Sequence, residues 1–331
     1  MVQGLILARA PLRVSLAGGG SDLPAFYGKH GGRVLSFAID KFVYITLNPK
    51  FDGRVRMSYS VTENVEVVSQ LQHDLGRAVL TRVGIDRGVE IVSVSDVPST
   101  GTGLGASASY LTALICATDG YLGRTTGPAA LADLAFQVEA EELGHPVGRQ
   151  DHLAAAYGGI NEFEIDPDGS TKVRRIDMRP ELLEMLELNT LLIYTGQSRA
   201  ANALLNRLKT NLDADGPATA GTKLLVDLVD DVRSALDKND LETLGHLLDE
   251  GWRIKRGLLT GVSFKEIDQM YDTAMASGAL GGKVTGAGGG GFLFLVVPRE
   301  RRGAVIEALG DKTTLDFRVS KLGAGIAYST S

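Results

Sequence analysis

Residues 98–109 read Pro98-Ser-Thr-Gly-Thr-Gly-Leu-Gly-Ala-Ser-Ala-Ser109, between a β-prone run, Val89–Val94, and a small, apolar stretch at helical spacing, Leu104–Tyr121. A strand therefore delivers the chain into a loop with Gly101, Gly103 and Gly105, and a helix starts at once. Glycines let backbone N–H groups face an anion without side-chain collision, and a helix N-terminus adds further N–H groups and a favourable dipole. Thr102, Leu104 and Ala106 complete the loop, and Ser107 falls in the first helical turn, where its hydroxyl can reach a metal on a phosphate. A tight strand–helix turn with no ligand is the alternative. No Gly-Lys-Ser/Thr closes the loop, so it is not a P-loop. Ser107 is followed by Ala108 and Ser109, so it is not a nucleophile elbow, and the downstream protein-kinase signatures are missing. The later run Gly286-Ala-Gly-Gly-Gly-Gly291 matches G-x-G-x-x-G but precedes the strand-like Phe292–Val297 where a dinucleotide-binding motif needs a helix.

Working outward, Leu5–Leu16 is apolar and β-prone, broken by Pro11, and Phe42–Leu47 reads as a strand. A helix from Pro128 to about Leu143 carries Pro in its first turn. Gly158-Gly159 stops a short helical stretch, and Ile160–Ile165 is extended. Thr190–Tyr194 reads as a strand. Apolar spacing predicts helices over Ser198–Lys209, Thr222–Leu236, Leu241–Gly257 and Ser263–Ser277. Lys283–Thr285 and Phe292–Val297 are strand-like, Arg299–Leu309 helical, and strands follow near Leu315–Val319 and Ile326–Tyr328. A helical block followed by a β-α-β-type end implies an α+β chain of two domains, with the boundary near residue 185.

The 331 residues are 44% hydrophobic and 22% charged, the ordinary mix of a globular protein. Lys plus Arg is 34 and Asp plus Glu 40, so 34 − 40 gives −6, a balance that disfavours sequence-independent nucleic-acid binding. One cysteine, Cys116, excludes an internal disulfide and a Cys-rich zinc site. The strongest apolar run is far shorter than the roughly 20 residues of a membrane helix, and the N-terminus carries no basic n-region before its apolar residues. A cytoplasmic protein is expected. Glycine is 41 of 331, about 12% against a usual share near 7%, and it gathers at 18–20, 101–105, 281–282 and 286–291, each beside a predicted strand or helix.

Pro-x₄-Gly-Leu-Gly-x-Ser-x-Ser resembles the second motif of the galactokinase, homoserine kinase, mevalonate kinase and phosphomevalonate kinase (GHMP kinase) superfamily. Arg9-Ala-Pro-Leu-Arg-Val-Ser-Leu-Ala-Gly-Gly-Gly-Ser-Asp-Leu-Pro24 resembles its first motif, and Lys283-Val-Thr-Gly-Ala-Gly-Gly-Gly-Gly291 its third, in the family order. AGGGSDLP, GALGGKVTGAGGGGF at 278–292 and Trp252-Arg-Ile-Lys-Arg256 are similar to the D-glycero-D-manno-heptose 7-phosphate kinase branch. The gap from Pro98 to Gly103 is one residue longer than in many members, and Ala106 stands where many have Ser. The resemblance implies an N-terminal domain like ribosomal protein S5 over 1–185 that binds nucleotide, and a ferredoxin-like domain over 186–331, with the active site between them. It implies ATP on Pro98 and Gly101–Ser107, Asp151 as the catalytic aspartate and Glu139 as the magnesium-binding glutamate. The acceptor would lie against Gly19, Gly20, Ser21 and Asp22, and against Gly288 and Gly289.

The residue types suit that chemistry. Phosphoryl transfer needs Mg²⁺ across the phosphates and a group oriented at the attacking hydroxyl. Magnesium takes one or two protein oxygens plus phosphate and water, which Glu139 and Ser107 can supply. Arg13, in the apolar run LRVSLAG, needs an anion partner; the resemblance implies that it aligns the acceptor beside Asp151, and a structural salt bridge is the alternative. Asp22 can accept two hydroxyl hydrogen bonds, which suits a polyol; helix N-capping is its alternative. Tyr194-Thr-Gly-Gln-Ser-Arg-Ala200 is a strand–turn–helix opening, and Arg199, Lys255 and Arg256 are candidates for the sugar's own phosphate, against a solvated basic face. His145 and His152, flanking Asp151, read as structural. The expected activity is transfer of the ATP γ-phosphoryl to the anomeric C1 hydroxyl of a heptose 7-phosphate. A kinase for a free sugar such as galactose, fucose or mannose, or a non-catalytic sugar or nucleotide sensor, are the alternatives. Partners are the sugar phosphate and ATP, with no nucleic acid or membrane, and a homodimer is left open.

Overall fold

In a computed structural model, which describes residues 4–98, 101–197 and 201–330, eight strands form one sheet and three form another. The order along the chain is β1 (Ile6–Ala17), α1 (Pro24–His30), β2 (Gly32–Pro49), β3 (Val55–Ser58), β4 (Thr62–Val65), α2 (Asp74–Val83), β5 (Val89–Ser95), α3 (Ala106–Tyr121), α4 (Pro128–Phe136), α5 (Gln150–Tyr157), β6 (Ile160–Ile165), β7 (Thr171–Arg175), α6 (Pro180–Leu188), β8 (Thr190–Tyr194), α7 (Ala201–Asp213), α8 (Pro217–Lys238), α9 (Leu241–Leu258), α10 (Lys265–Ala276), β9 (Gly281–Val284), β10 (Phe292–Val296), α11 (Arg302–Leu309) and β11 (Gly325–Ser329).

The large sheet is organised by β2. Its first part pairs β6, its last part pairs β5, and β1 runs antiparallel along it. The sequence reading took only Phe42–Leu47 of this strand; residues 34–39 are buried throughout and lack the alternation of a half-exposed strand. Pro11 sits in β1 where the register with β2 shifts, the position a ring without an N–H tolerates. The interior helix α3 is buried on nearly every side, which explains its small, apolar composition.

The helix expected over Pro128–Leu143 is α-helical only to Phe136; residues 137–142 widen into a π-helical turn, with the Leu143 N–H donating to Val138 O. Such turns are rare and cluster at functional sites. Asp240 starts α9 by accepting the N–H of Thr243 at 3.0 Å.

The small sheet runs β8–β10–β9. Successive β10 side chains face opposite ways: Phe292, Phe294 and Val296 join the core of the large sheet, while Leu293 and Leu295 join a second core with Trp252, Ile267 and Tyr271. The strand expected over Leu315–Val319 is reduced to two single bridges, Ile193 to Thr314 and Ile39 to Val319. With the first of these beside β8, the unit has the β-α-β-β-α-β order of a ferredoxin-like fold, its last strand shrunk to one bridge. The expected strand at Ile326–Tyr328 lies in β11, which pairs β1 and returns the C-terminus to the large sheet.

Candidate active site

The glycines of the second and third motifs meet along a backbone seam. The Thr285 hydroxyl lies 2.9 Å from Thr102 O, and the Phe292 N–H donates to the same carbonyl at 3.2 Å. A Cβ on Gly103 would stand 2.5 Å from Thr285 O, one on Gly286 2.6 Å from Gly103 Cα, and one on Gly291 2.4 Å from Thr102 O. The missing side chain at Gly103 therefore makes room for Thr285. Gly288 and Gly289 pack on the turn after α9: a Cβ on either would meet Val262 O or Leu204 at 2.8 Å. They pin the loop, while Gly286 and Ala287 line the cavity.

Past the seam, Gly105 in the left-handed region opens α3 with no side-chain cap on the helix, which leaves its first turn directed at the loop. Pro98 is exposed before the loop. Arg13, 4% exposed on β1, holds the loop and α5 together. Its Nε donates to Asp151 Oδ1 at 2.7 Å, Nη2 lies 2.6 Å from the same oxygen, and Nη1 donates to Gly103 O at 2.6 Å. The ion pair of Arg13 thus places Asp151 beside the loop. A Cβ on Gly105 would come within 3.5 Å of Asp151, so the acid stands directly beside the loop.

Asp22 lines the same cavity. Its carboxylate accepts the N–H of Gly20 at 3.0 Å and of Gln150 at 3.2 Å, so it caps the distant α5; the adjacent α1 has Leu23 at its N-cap. Burial, and then the charge of Asp151, raise its pKa against the pull of those N–H groups. Gly19 and Gly20 line the cavity. Ser21 is fully buried, and its hydroxyl bonds Gly18 O at 2.8 Å and accepts the Arg33 N–H at 2.9 Å.

Glu139 lies in the π-helical turn, 2% exposed. The Ser107 hydroxyl donates to one carboxylate oxygen, and His152 Nε2 lies 2.7 Å from the other. His145, itself 3.2 Å from Asp74, lies at 3.9 Å. Burial alone would raise this carboxyl; the nearby His145 ring and the hydrogen bonds to His152 and Ser107 outweigh it and hold it at about 2. An ionised carboxylate and a hydroxyl at a helix N-terminus are hard oxygen donors of the kind magnesium takes. Among the described residues no group of three or more His, Cys, Asp or Glu could hold a metal ion.

The basic candidates separate. Arg199 lies outside the described residues. Arg256 pairs with Asp268 at 3.0 Å and lies over Trp252, away from the cavity lining. Lys255 faces the cavity and donates to Gly286 O; burial, and then the charge of Arg13, pull it down to about 8 despite Asp22 and Asp151. Lys283 also faces the cavity, 8% exposed, donating to Leu16 O at 3.1 Å. Burial, with Lys255 and Arg13 nearby, pushes it well below an ordinary lysine. Lys283 has no role assigned from the sequence; its place among buried residues of a strand, where an ammonium needs a reason, is the available signal. The cavity, about 1100 Å³ with its open mouth, continues past these charges to a wall of Leu204, Leu208, Leu225, Leu228 and Leu258 from α7, α8 and α9.

A carboxylate held by a guanidinium stands beside a glycine loop, with a second carboxylate and a hydroxyl at the helix start, and this set of groups suits a phosphotransferase. Comparison with known proteins reaches the same class. Residues 65–159 match the model of the GHMP kinase N-terminal domain and residues 232–313 that of the GHMP kinase C-terminal domain. The chain is 30% identical over 332 residues to a D-glycero-alpha-D-manno-heptose 7-phosphate kinase of Campylobacter jejuni, covering 96% of this chain and 97% of that one. A crystal structure of a D-glycero-D-manno-heptose 1-phosphate kinase from Bacteroides thetaiotaomicron matches with TM-score 0.79 at 26% identity, over 98% of this chain and all of that one. A galactokinase of Lactococcus lactis complexed with galactose, 19% identical, shares the fold at TM-score 0.74, over 98% of this chain and 95% of that one. The chain belongs to the GHMP kinase family, and it is an ATP-dependent kinase with a hydroxyl acceptor.

Proposed function

We propose that this kinase moves the γ-phosphoryl of MgATP to the anomeric C1 hydroxyl of a heptose 7-phosphate of the D-glycero-D-manno type. The observation that carries the reading is Arg13, which ties the Asp151 carboxylate to the Gly103 carbonyl of the phosphate loop. The acceptor oxygen attacks the γ-phosphorus, its proton passes to Asp151, and the bond to the β–γ bridging oxygen breaks to leave ADP. Arg13 holds the Asp151 carboxylate at the loop and offsets its charge as the phosphates approach. Asp22, Gly19 and Gly20 offer the sugar a carboxylate and backbone polar groups, and Lys255 with Lys283 offers N–H donors to its phosphate. Magnesium, held by Glu139 and Ser107, would neutralise charge on the phosphate oxygens. Two relatives named for heptose phosphate kinases support the sugar-phosphate class, though their names place the phosphate on different carbons. The division near residue 185, with β11 returning to the first unit, and a cytoplasmic location belong to the same proposal.

The leucine wall favours a second reading, a kinase for an unphosphorylated sugar, because among the described residues of the cavity lining only Lys255 and Lys283 are basic groups bonded to backbone carbonyls and not to a carboxylate. ADP release with MgATP across free heptose, heptose 7-phosphate, galactose, fucose and mannose, with phosphorus NMR of the products, separates the two. An anomeric phosphate on the 7-phosphate substrate supports the first reading; preference for a free sugar overturns it.

A further inference from the structure

We infer that His152 is a positioning residue that fixes the carboxylate of Glu139 for the metal–nucleotide complex, an inference that rests on the metal role proposed for Glu139. Asp151 and His152 are consecutive in the first turn of α5, yet they serve opposite sides of the reaction. Asp151 faces Arg13 and the loop carbonyl, whereas His152 turns inward to Glu139. The ring is 1% exposed and packs edge-on against Phe136, centroids 5.8 Å apart at 84°, so its orientation is set by packing. The ionised Glu139 can only accept. His152 Nε2 is therefore the donor to the carboxylate, while Nδ1 is buried with no hydrogen-bond partner among the described residues. A buried polar atom left bare costs stability, so the ring is held by a single polar contact, the one to Glu139.

That contact determines where the carboxylate points. Glu139 sits in a π-helical turn, which sets its backbone out of register with a regular helix. Of its two oxygens, one is bound to His152 and the other turns toward Ser107 at the start of α3. Removing the His152 donor leaves one oxygen of the buried carboxylate bare and the group held only from the Ser107 side. Because the donor lies next to the acceptor-side acid on one helical turn, α5 holds the two acids of the site in a fixed relation. Partners of this kind behind a metal ligand typically change metal affinity by about 10–100-fold when removed.

The test is the affinity of Mn²⁺ for the enzyme–ADP complex, read by electron paramagnetic resonance, together with the Mg²⁺ concentration for half-maximal activity. His152→Leu should weaken Mn²⁺ binding by about tenfold and raise the Mg²⁺ requirement by a similar factor. The KM for the sugar at saturating Mg²⁺ should stay unchanged. His152→Gln, whose amide N–H reaches toward the place of Nε2, should recover most of the affinity, and His152→Asn, whose amide stops short, should not. A folded Leu variant with Mn²⁺ affinity within twofold of wild type overturns the inference. If the Leu variant does not fold, equal affinities for the Gln and Asn variants overturn it and the expected difference supports it. Glu139→Gln separates the premise: if it leaves Mn²⁺ affinity unchanged, the metal role of Glu139 falls; if it weakens binding while the His152 variants do not, only the positioning role falls.

Discussion

Asp151→Asn removes one negative charge from the centre of the site while keeping its shape. The Asp151 side chain is 30% exposed and that of Arg13 5%, so the change falls mainly on a buried guanidinium. Arg13 keeps its bond to Gly103 O, and the Asn carbonyl still accepts from Nε, but the charge pairing is gone. A hydrogen bond to a charged group contributes about 1.5–3 kcal/mol against about 1 for a neutral one, so the stability loss is about 1–2 kcal/mol, at the lower end because of the exposure of Asp151. For a chain this long that shifts the melting temperature by only a few degrees. Turnover should respond far more. A positioned proton acceptor contributes about 10²–10⁴-fold, or about 2.7–5.5 kcal/mol of barrier. MgATP affinity should hold, because the loop and α3 are untouched. The assays are kcat by coupled ADP release, nucleotide Kd by calorimetry, and thermal melting. A folded Asn variant whose kcat stays within threefold of wild type would refute both the role of Asp151 and the mechanism drawn from it.

Gly103→Ala should destabilise the fold by about 2–5 kcal/mol, the sum of a left-handed backbone and a Cβ 2.5 Å from Thr285 O. Gly53→Ala, at the same φ with open space around it, should cost only about 1–2 kcal/mol in thermal melts; equal losses would show that the seam is not what Gly103 serves. Ser107→Ala should raise the Mg²⁺ concentration for half-maximal activity with little change in melting temperature, and an unchanged magnesium titration would remove Ser107 from the metal site. Lys255, held at about 8 in the fold against an ordinary 10.5, loses its charge in the folded protein first. The KM for a phosphorylated acceptor should therefore rise above pH 8, and Lys255→Met should abolish that rise. In the same window the unfolded chain binds more protons than the folded one, so this group makes stability increase as pH climbs from about 8 to 10.5, a slope the Met variant should lack.

The sequence alone was enough for the family, the α+β class, the glycine loop running into α3, and Arg13, Asp151, Glu139 and Ser107 as a group, because glycine runs, their order and short local patterns survive as text. It also placed most helices to within a few residues, since α8, α9 and α10 each bury one periodic face. Contacts between distant segments were beyond it. Nothing local says that Gly103 faces Thr285, that Asp22 caps a helix more than a hundred residues away, that Arg256 pairs with Asp268 while Lys255 turns inward, or that a strand expected over 315–319 shrinks to single bridges. The π-helical turn at Glu139 was equally hidden, for its residues carry no local signal that separates it from a regular helix. Lys283 and His152 were visible as letters but had no partners. A buried charge or ring has meaning only through the groups across from it, and those come together when β1, α3, α5 and the β9–β10 turn meet at one point.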